Sequence, residues 1–190
     1  MRALPLSATL ILLPAAAMAH TGIAARGTPL LSGLAHPILG PDHLLAMIAV
    51  GLFAAMTGGR AIWAYPAAFV TAMVAGGFLG FDGAELPIVE PAVLASVIVL
   101  GLAIAVALRP PLPVACTAIA AFGLAHGYAH GLEGPDLGGL PYAIGFVIAT
   151  SALHGIGLAL GFGTAAASRP GLSRAFGGFT CAAGLALILG

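Results

Sequence analysis

Histidines and carboxylates interrupt otherwise apolar runs at two places in the sequence. In the stronger group, His126, His130 and Glu133 follow each other at spacings of four and three residues, so on a helix all three side chains share one face. Two imidazoles one turn apart can reach a single cation, and the carboxylate one turn further on can complete or neutralise the site. Ionisable groups in such apolar segments are costly and usually functional, so the spacing predicts a metal site.

The second group lies in segment 36–43, which begins with His36, ends in Asp42-His43 and contains two prolines and a glycine. Prolines disfavour a continuous helix, so we expect the helix to break and to restart near Asp42, whose carboxylate suits a first helical turn. His36 then approaches from one side of the break, and Asp42 and His43 approach from the other. A break inside a membrane requires protein or a water-filled cavity around the freed backbone groups.

Four further residues have weaker claims to the chemistry. Glu90 either joins the metal site or faces water at a helix start. His20, as a new N-terminus, would place an imidazole beside an α-amine that titrates near 8 and can chelate at neutral pH. Met47 follows His43 by one turn and could supply a soft extra ligand, but such a methionine is more often core filling and is left out of the predicted site. His154, deep in an apolar run, is either a waystation for an ion or a helix contact.

Composition sets the environment of these groups. Of the 190 residues, 61% are hydrophobic and 6% are charged, whereas soluble domains carry about 25% charged residues. The lipid bilayer must therefore cover most of the surface. Lysine is absent and the net charge is zero, which argues against nucleic acid as a partner and excludes a P-loop ATPase. No polar stretch is long enough to form a second, soluble domain.

The first 19 residues have the pattern of a cleavable signal peptide. Arg2 precedes an apolar run, and Ala17-Met18-Ala19 fits the small-x-small cleavage rule. Residues 20–190 are predicted to form an all-α integral membrane domain, a six-transmembrane-helix bundle with a broken first helix, because lipid offers no partners to exposed backbone groups. The predicted spans are 29–57, 61–81, 91–108, 112–133, 139–163 and 173–190.

Charge in the loops predicts the orientation. Arginines occur in the first, third and fifth loops, at Arg60, Arg109, Arg169 and Arg174. Acidic residues occur in or beside the second and fourth, at Asp82, Glu85, Glu90, Glu133 and Asp136. By the positive-inside rule the arginine loops are cytoplasmic. Together with a cleaved leader, this places the protein in the bacterial inner membrane with periplasmic N- and C-termini.

The ligand types limit which metal can bind. Besides metal transport, two enzyme functions are possible for these residues. Imidazole with carboxylate suits nickel, cobalt, zinc or iron better than copper(I), while calcium and magnesium prefer oxygen ligands. A membrane-embedded zinc hydrolase would use His126, His130 and Asp42 as ligands and Glu133 as general base, although no His-Glu-x-x-His motif occurs. An intramembrane serine protease using Ser151 and His154 lacks a third partner.

At these motifs the sequence resembles the HupE/UreJ family of nickel and cobalt permeases. The marks are a histidine, five residues and Asp-His (His36 to Asp42-His43), and paired His-Gly motifs followed by glutamate (His126-Gly127, His130-Gly131 and Glu133). The resemblance covers essentially the whole chain. It implies that Ni2+ or Co2+ is a transported substrate rather than a permanent cofactor, and that the metal supports hydrogenase or urease maturation. The metal-site or pathway residues that the resemblance implies are His36, Asp42, His43, His126, His130 and Glu133, followed by His20 and Glu90.

Overall fold

The computed structural model describes residues 28–81, 83–134 and 138–189, and within them the only regular elements are seven α-helices. They are α1 (Pro29–Leu39), α2 (Pro41–Thr57), α3 (Ala61–Phe81), α4 (Val89–Ala105), α5 (Leu112–Glu133), α6 (Leu140–Ala166) and α7 (Pro170–Leu189). This confirms the all-helical class. The predicted leader, His20, Asp82 and Asp136 lie outside the described residues.

Proline and glycine define most helix boundaries. Proline occupies one of the first two positions of α1, α2, α5 and α6, where its missing N–H has no intrahelical partner to lose. At the start of α1, the Thr28 hydroxyl accepts a hydrogen bond from the Leu31 N–H at 3.5 Å. The turn from α2 to α3 passes through Gly58 and Gly59, whose φ angles of 75° and 55° favour glycine.

Four helices, α3, α5, α6 and α7, are long and apolar enough to cross a membrane. The helices α1 and α2 qualify as a fifth span when taken together, and they meet at a bend of 79°. This bend lies at Gly40, where the sequence predicted a break. Helix α4 is apolar but has only 17 residues. Large apolar side chains face outward, including Trp63 at 78% and Phe78 at 77% exposure, as expected of a surface covered by lipid.

Helices α3 and α5 run parallel with their backbones in contact. A Cβ atom added at Gly127 would collide with the Met73 carbonyl oxygen, and one added at Gly123 would collide with that of Phe69. Such contacts require glycine and allow transmembrane helices to approach closely. The α3–α5 interface therefore fixes the position of the histidines on α5 relative to α3.

Helices α2 and α6 form a second parallel pair built in the same way. A Cβ atom at Gly51 would collide with the His154 carbonyl oxygen, and one at Gly157 with that of Ile48. Gly33 of α1 lies against the backbone of α6 as well. Both halves of the bent pair are thus attached to α6.

From α2 onward successive helices alternate in direction, and the charges separate accordingly. Helices α4 and α7 are antiparallel, since Gly177 lies against Ala105 while Gly184 lies against Val97. With α2 parallel to α6 and α3 parallel to α5, this places Arg60 and Arg109 at one end of the bundle. Glu85, Glu90 and Glu133 lie at the opposite end, which also contains the bend between α1 and α2.

Candidate metal centre

The two groups of polar residues predicted from the sequence meet between α1, α2 and α5. His36 lies in the last turn of α1, and Asp42 lies in the first turn of α2. The bend between these helices turns His36 and His43 toward each other, with ring centroids 5.9 Å apart. Helix α5 brings His126 and His130 to the same place.

Four imidazoles, those of His36, His43, His126 and His130, form what we call the histidine cluster. Ring centroids are 4.5 Å apart for His36 and His130, 4.6 Å for His43 and His130, and 4.9 Å for His43 and His126. His126 is fully buried, and His130 and His43 are 7% and 8% exposed. The cluster therefore extends from the end of the bundle into its interior.

Oxygen atoms behind two of the rings fix their orientation. The Nδ1–H of His43 donates to Oδ1 of Asp42 at 2.8 Å, and the Nδ1–H of His126 donates to the Phe122 carbonyl at 3.0 Å. In a neutral imidazole whose Nδ1 carries the proton, Nε2 holds a free lone pair. Metal-binding histidines characteristically donate their other N–H to a carboxylate or a carbonyl in this way.

One of these two Nε2 atoms meets another ring of the cluster, and the other is buried. Nε2 of His43 lies 2.6 Å from Nε2 of His130, and Nε2 of His126 is buried without a hydrogen-bond partner. Two nitrogens that bind one ion at about 2.1 Å and at right angles lie roughly 3 Å apart. At 2.6 Å the two Nε2 atoms share a hydrogen bond, so a modest separation of the rings would bring both to the spacing of two ligands on one cation.

Glu133 connects the cluster to the surface. Its Oε2 lies 3.4 Å from Nδ1 of His130, and its side chain is 50% exposed. One ligand atom from each of His36, His130 and Glu133 can be chosen so that all three lie within 4.8 Å of one another. The carboxylate is placed to meet an ion arriving from solvent before the buried imidazoles do.

Two aromatic residues of α6 cover the cluster, and the sequence analysis did not assign them to the site. The ring centroid of Phe146 lies 4.3 Å from that of His130, and the ring centroid of Tyr142 lies 5.9 Å from that of His36. Both are nearly fully buried. Their spacing of four residues places them on one helix face, but only the fold reveals that this face meets the histidines. Their apolar surfaces separate the imidazoles from lipid.

Of the two remaining candidates, one is away from the cluster and the other lies outside the described residues. Glu90 is exposed in the first turn of α4, and no contact joins it to the histidines within the described ranges. His20 precedes those ranges. The residues considered for a protease, Ser151 and His154, are in different environments. Ser151 is exposed and donates to the Val147 carbonyl, whereas His154 is buried.

A bundle of apolar helices that gathers three buried imidazoles, the half-buried His36 and the carboxylate of Asp42 at one end defines a multi-pass membrane protein with an internal polar site. Comparison with known sequences is more specific: the profile described as HupE / UreJ protein matches residues 8–187, and the chain belongs to this family. This is a family of membrane transporters, not of enzymes, which disfavours the hydrolase alternative.

A curated relative supports the same assignment. Over 143 residues the chain is 46% identical to the protein named Protein HupE from Rhizobium leguminosarum bv. viciae, covering 75% of this chain and 74% of the relative. No solved structure matches the chain.

Proposed function

We propose that the protein is an uptake permease for a divalent transition metal, with nickel as the first candidate and cobalt as the second. The observation that carries this proposal is the meeting of four imidazoles at one place, two of which, His43 and His126, have Nδ1 held by an oxygen atom. Such an arrangement suits a borderline cation such as Ni2+. In this proposal the metal serves hydrogenase or urease maturation.

The proposed orientation places the histidine cluster outside. It requires six spans, with α1 and α2 forming one bent span and α4 another, and removal of residues 1–19. The end that carries Arg60 and Arg109 would then be cytoplasmic, in agreement with the positive-inside rule. Both termini of the mature chain would be periplasmic, in the bacterial inner membrane.

The proposed mechanism is capture, dehydration and inward release. Glu133 attracts the hydrated ion, and the imidazoles replace its water ligands as it enters the cluster. The membrane potential supplies the driving force, because a 2+ ion crossing 100 mV toward a negative interior gains about 4.6 kcal/mol. At about 1.4 kcal/mol per decade, this corresponds to a concentration ratio of roughly 2,000.

Uptake of radiolabelled nickel by cells producing the wild type or His130→Ala tests the proposal. His130 contacts two other rings of the histidine cluster. Loss of a residue that only supports a metal ligand lowers metal affinity or activity about 10–100-fold, so loss of His130 should lower uptake at least about tenfold. Ser151→Ala is the matched control, because Ser151 is exposed on α6 and should leave uptake unchanged. Cobalt and zinc are added as competitors to rank the metals. Equal uptake by the His130 variant and the wild type would contradict the proposal.

A further inference from the structure

His154 is a buried imidazole that the histidine cluster does not use. It lies near the middle of α6 and is 2% exposed, and neither Nδ1 nor Nε2 has a hydrogen-bond partner. Burying polar groups without hydrogen-bond partners is unfavourable, and such groups in folded proteins often have a functional role or bind a water molecule or an ion. A transiently bound ion would give the two nitrogens of His154 a partner.

Two thioethers and a hydroxyl group meet one helical turn from His154. Oγ1 of Thr150 lies 3.3 Å from Sδ of Met47 and 3.7 Å from Sδ of Met73. All three side chains are at most 2% exposed. Thr150 and His154 are four residues apart on α6, so they share a face.

The contact between Thr150 and sulfur is unusual for a hydroxyl in an apolar helix. Such groups commonly donate to a carbonyl of their own helix, as Thr71 and Ser151 do in this protein. Thr150 is instead directed between α2 and α3, where the sulfur atoms of both helices face it. Its hydroxyl donates toward sulfur, and the two sulfur atoms lie on α2 and α3 within 3.3 and 3.7 Å of its oxygen.

The ring of Phe69 lies between His154 and the histidine cluster. Its centroid is 5.3 Å from that of His126 and 5.2 Å from that of His154. The imidazoles and this one phenyl ring therefore form a continuous column from the end of the bundle to its middle. Phe69 is the one apolar member of the column.

We propose that Met47, Met73, Thr150 and His154 form a second cation site, the inner site, which receives the ion from the histidine cluster. This proposal deepens the proposed function and rests on it. Imidazole with thioether sulfur suits late first-row cations and is unsuited to magnesium or calcium. The inner site would therefore select the substrate class after the outer ligands have removed its water.

A second site also answers a kinetic requirement. An ion held by several imidazoles leaves slowly unless another site takes it, and conduction requires binding that is shared among sites weak enough to release. Two thioethers, which are weaker ligands than imidazole for a borderline cation, fit a site that passes the ion on.

The test uses the purified full-length protein, equilibrium dialysis against nickel, and X-ray absorption at the nickel edge. We expect the wild type to bind two ions and to show sulfur in the coordination shell at saturation. The double variant Met47→Leu with Met73→Leu should bind one ion, with nitrogen and oxygen ligands only. Leucine conserves the volume of methionine, so the fold should tolerate the change. Met56→Leu, at a half-buried methionine of the same helix α2, is the matched control and should keep both ions.

Two further variants separate the inner site from the outer one. His154→Gln should also reduce the binding to one ion, while His130→Ala should weaken the outer ion and retain the sulfur contribution. Two bound ions in the double methionine variant, or a wild type without nickel–sulfur coordination at saturation, would overturn the inner site. If the wild type binds a single ion through nitrogen and oxygen, the inner site is wrong and the proposed function survives. If the wild type binds none, both are wrong.

Discussion

At the residue scale, the chemistry of the cluster depends on atoms behind the imidazoles as much as on the imidazoles themselves. The sequence indicates that Asp42 and His43 belong together, but it does not reveal that the carboxylate contacts Nδ1 of the neighbouring ring. In the structure Asp42 orients His43 and makes it a better electron donor, which is the usual role of a carboxylate paired with a metal-binding histidine.

Asp42→Asn tests this role. Asparagine is nearly isosteric and can still accept the Nδ1–H bond, but it lacks the negative charge that strengthens it. We expect the affinity for nickel to fall about 10–100-fold, measured by titration of the purified protein. Glu85→Gln removes an exposed carboxylate at the same end of the bundle and serves as the control. Unchanged affinity in Asp42→Asn would show that the charge behind His43 has no part in binding.

At the element scale, the positions of the helices in the sequence could be predicted far better than which helices pack against each other. Each predicted span overlaps a helix, because apolar runs bounded by proline, glycine and charge have few alternatives in lipid. The break before Asp42 was equally visible, since Pro41 cannot continue the hydrogen bonding of α1. Which helices touch was not predictable from one sequence, because glycines occur on almost every helix. The roles of Met73 and Phe69 depend on that pairing, and so they emerged only from the fold.

The glycine interface between α3 and α5 yields a prediction about stability. In Gly127→Ala the added Cβ would collide with the Met73 carbonyl, and overpacking of this kind costs about 1–3 kcal/mol. Gly155→Ala is the control, because nothing lies within 4 Å of a Cβ there and alanine favours helix by up to about 1 kcal/mol. Thermal unfolding in detergent should therefore occur at a lower temperature for the first variant only. Equal unfolding temperatures for the two variants would mean that α3 and α5 accommodate the added Cβ atom without a loss of stability.

At the scale of the whole molecule, the separation of charge is the strongest basis for an orientation. Sequence alone gave the sorting of arginines and acids into alternate loops, and the alternating helices place them at opposite ends. The histidine cluster lies at the acidic end. Under the proposed mechanism, the orientation of the protein therefore decides from which side of the membrane the ion is captured.

Labelling of single cysteines tests the orientation. In a background in which Cys116 and Cys181 are replaced by alanine, we expect Glu85→Cys to react with a membrane-impermeant thiol reagent applied to intact spheroplasts. Arg109→Cys should react only after the membrane is permeabilised, because the arginine end is expected to be cytoplasmic. The reverse pattern would place the histidine cluster inside the cell, and the protein would then have to work in export.

The glycine interfaces also decide which parts can move. Backbones in contact leave no side chains to repack, so α3 with α5 forms one rigid block, and α1 and α2 with α6 form another. The imidazoles of the histidine cluster are divided between these blocks, with His43 on one and His130 on the other. The inner group is divided along the same boundary, since Thr150 and Met73 belong to different blocks. A small sliding of one block past the other would therefore loosen both sets of ligands at once, with flexible methionines lining the sliding surface.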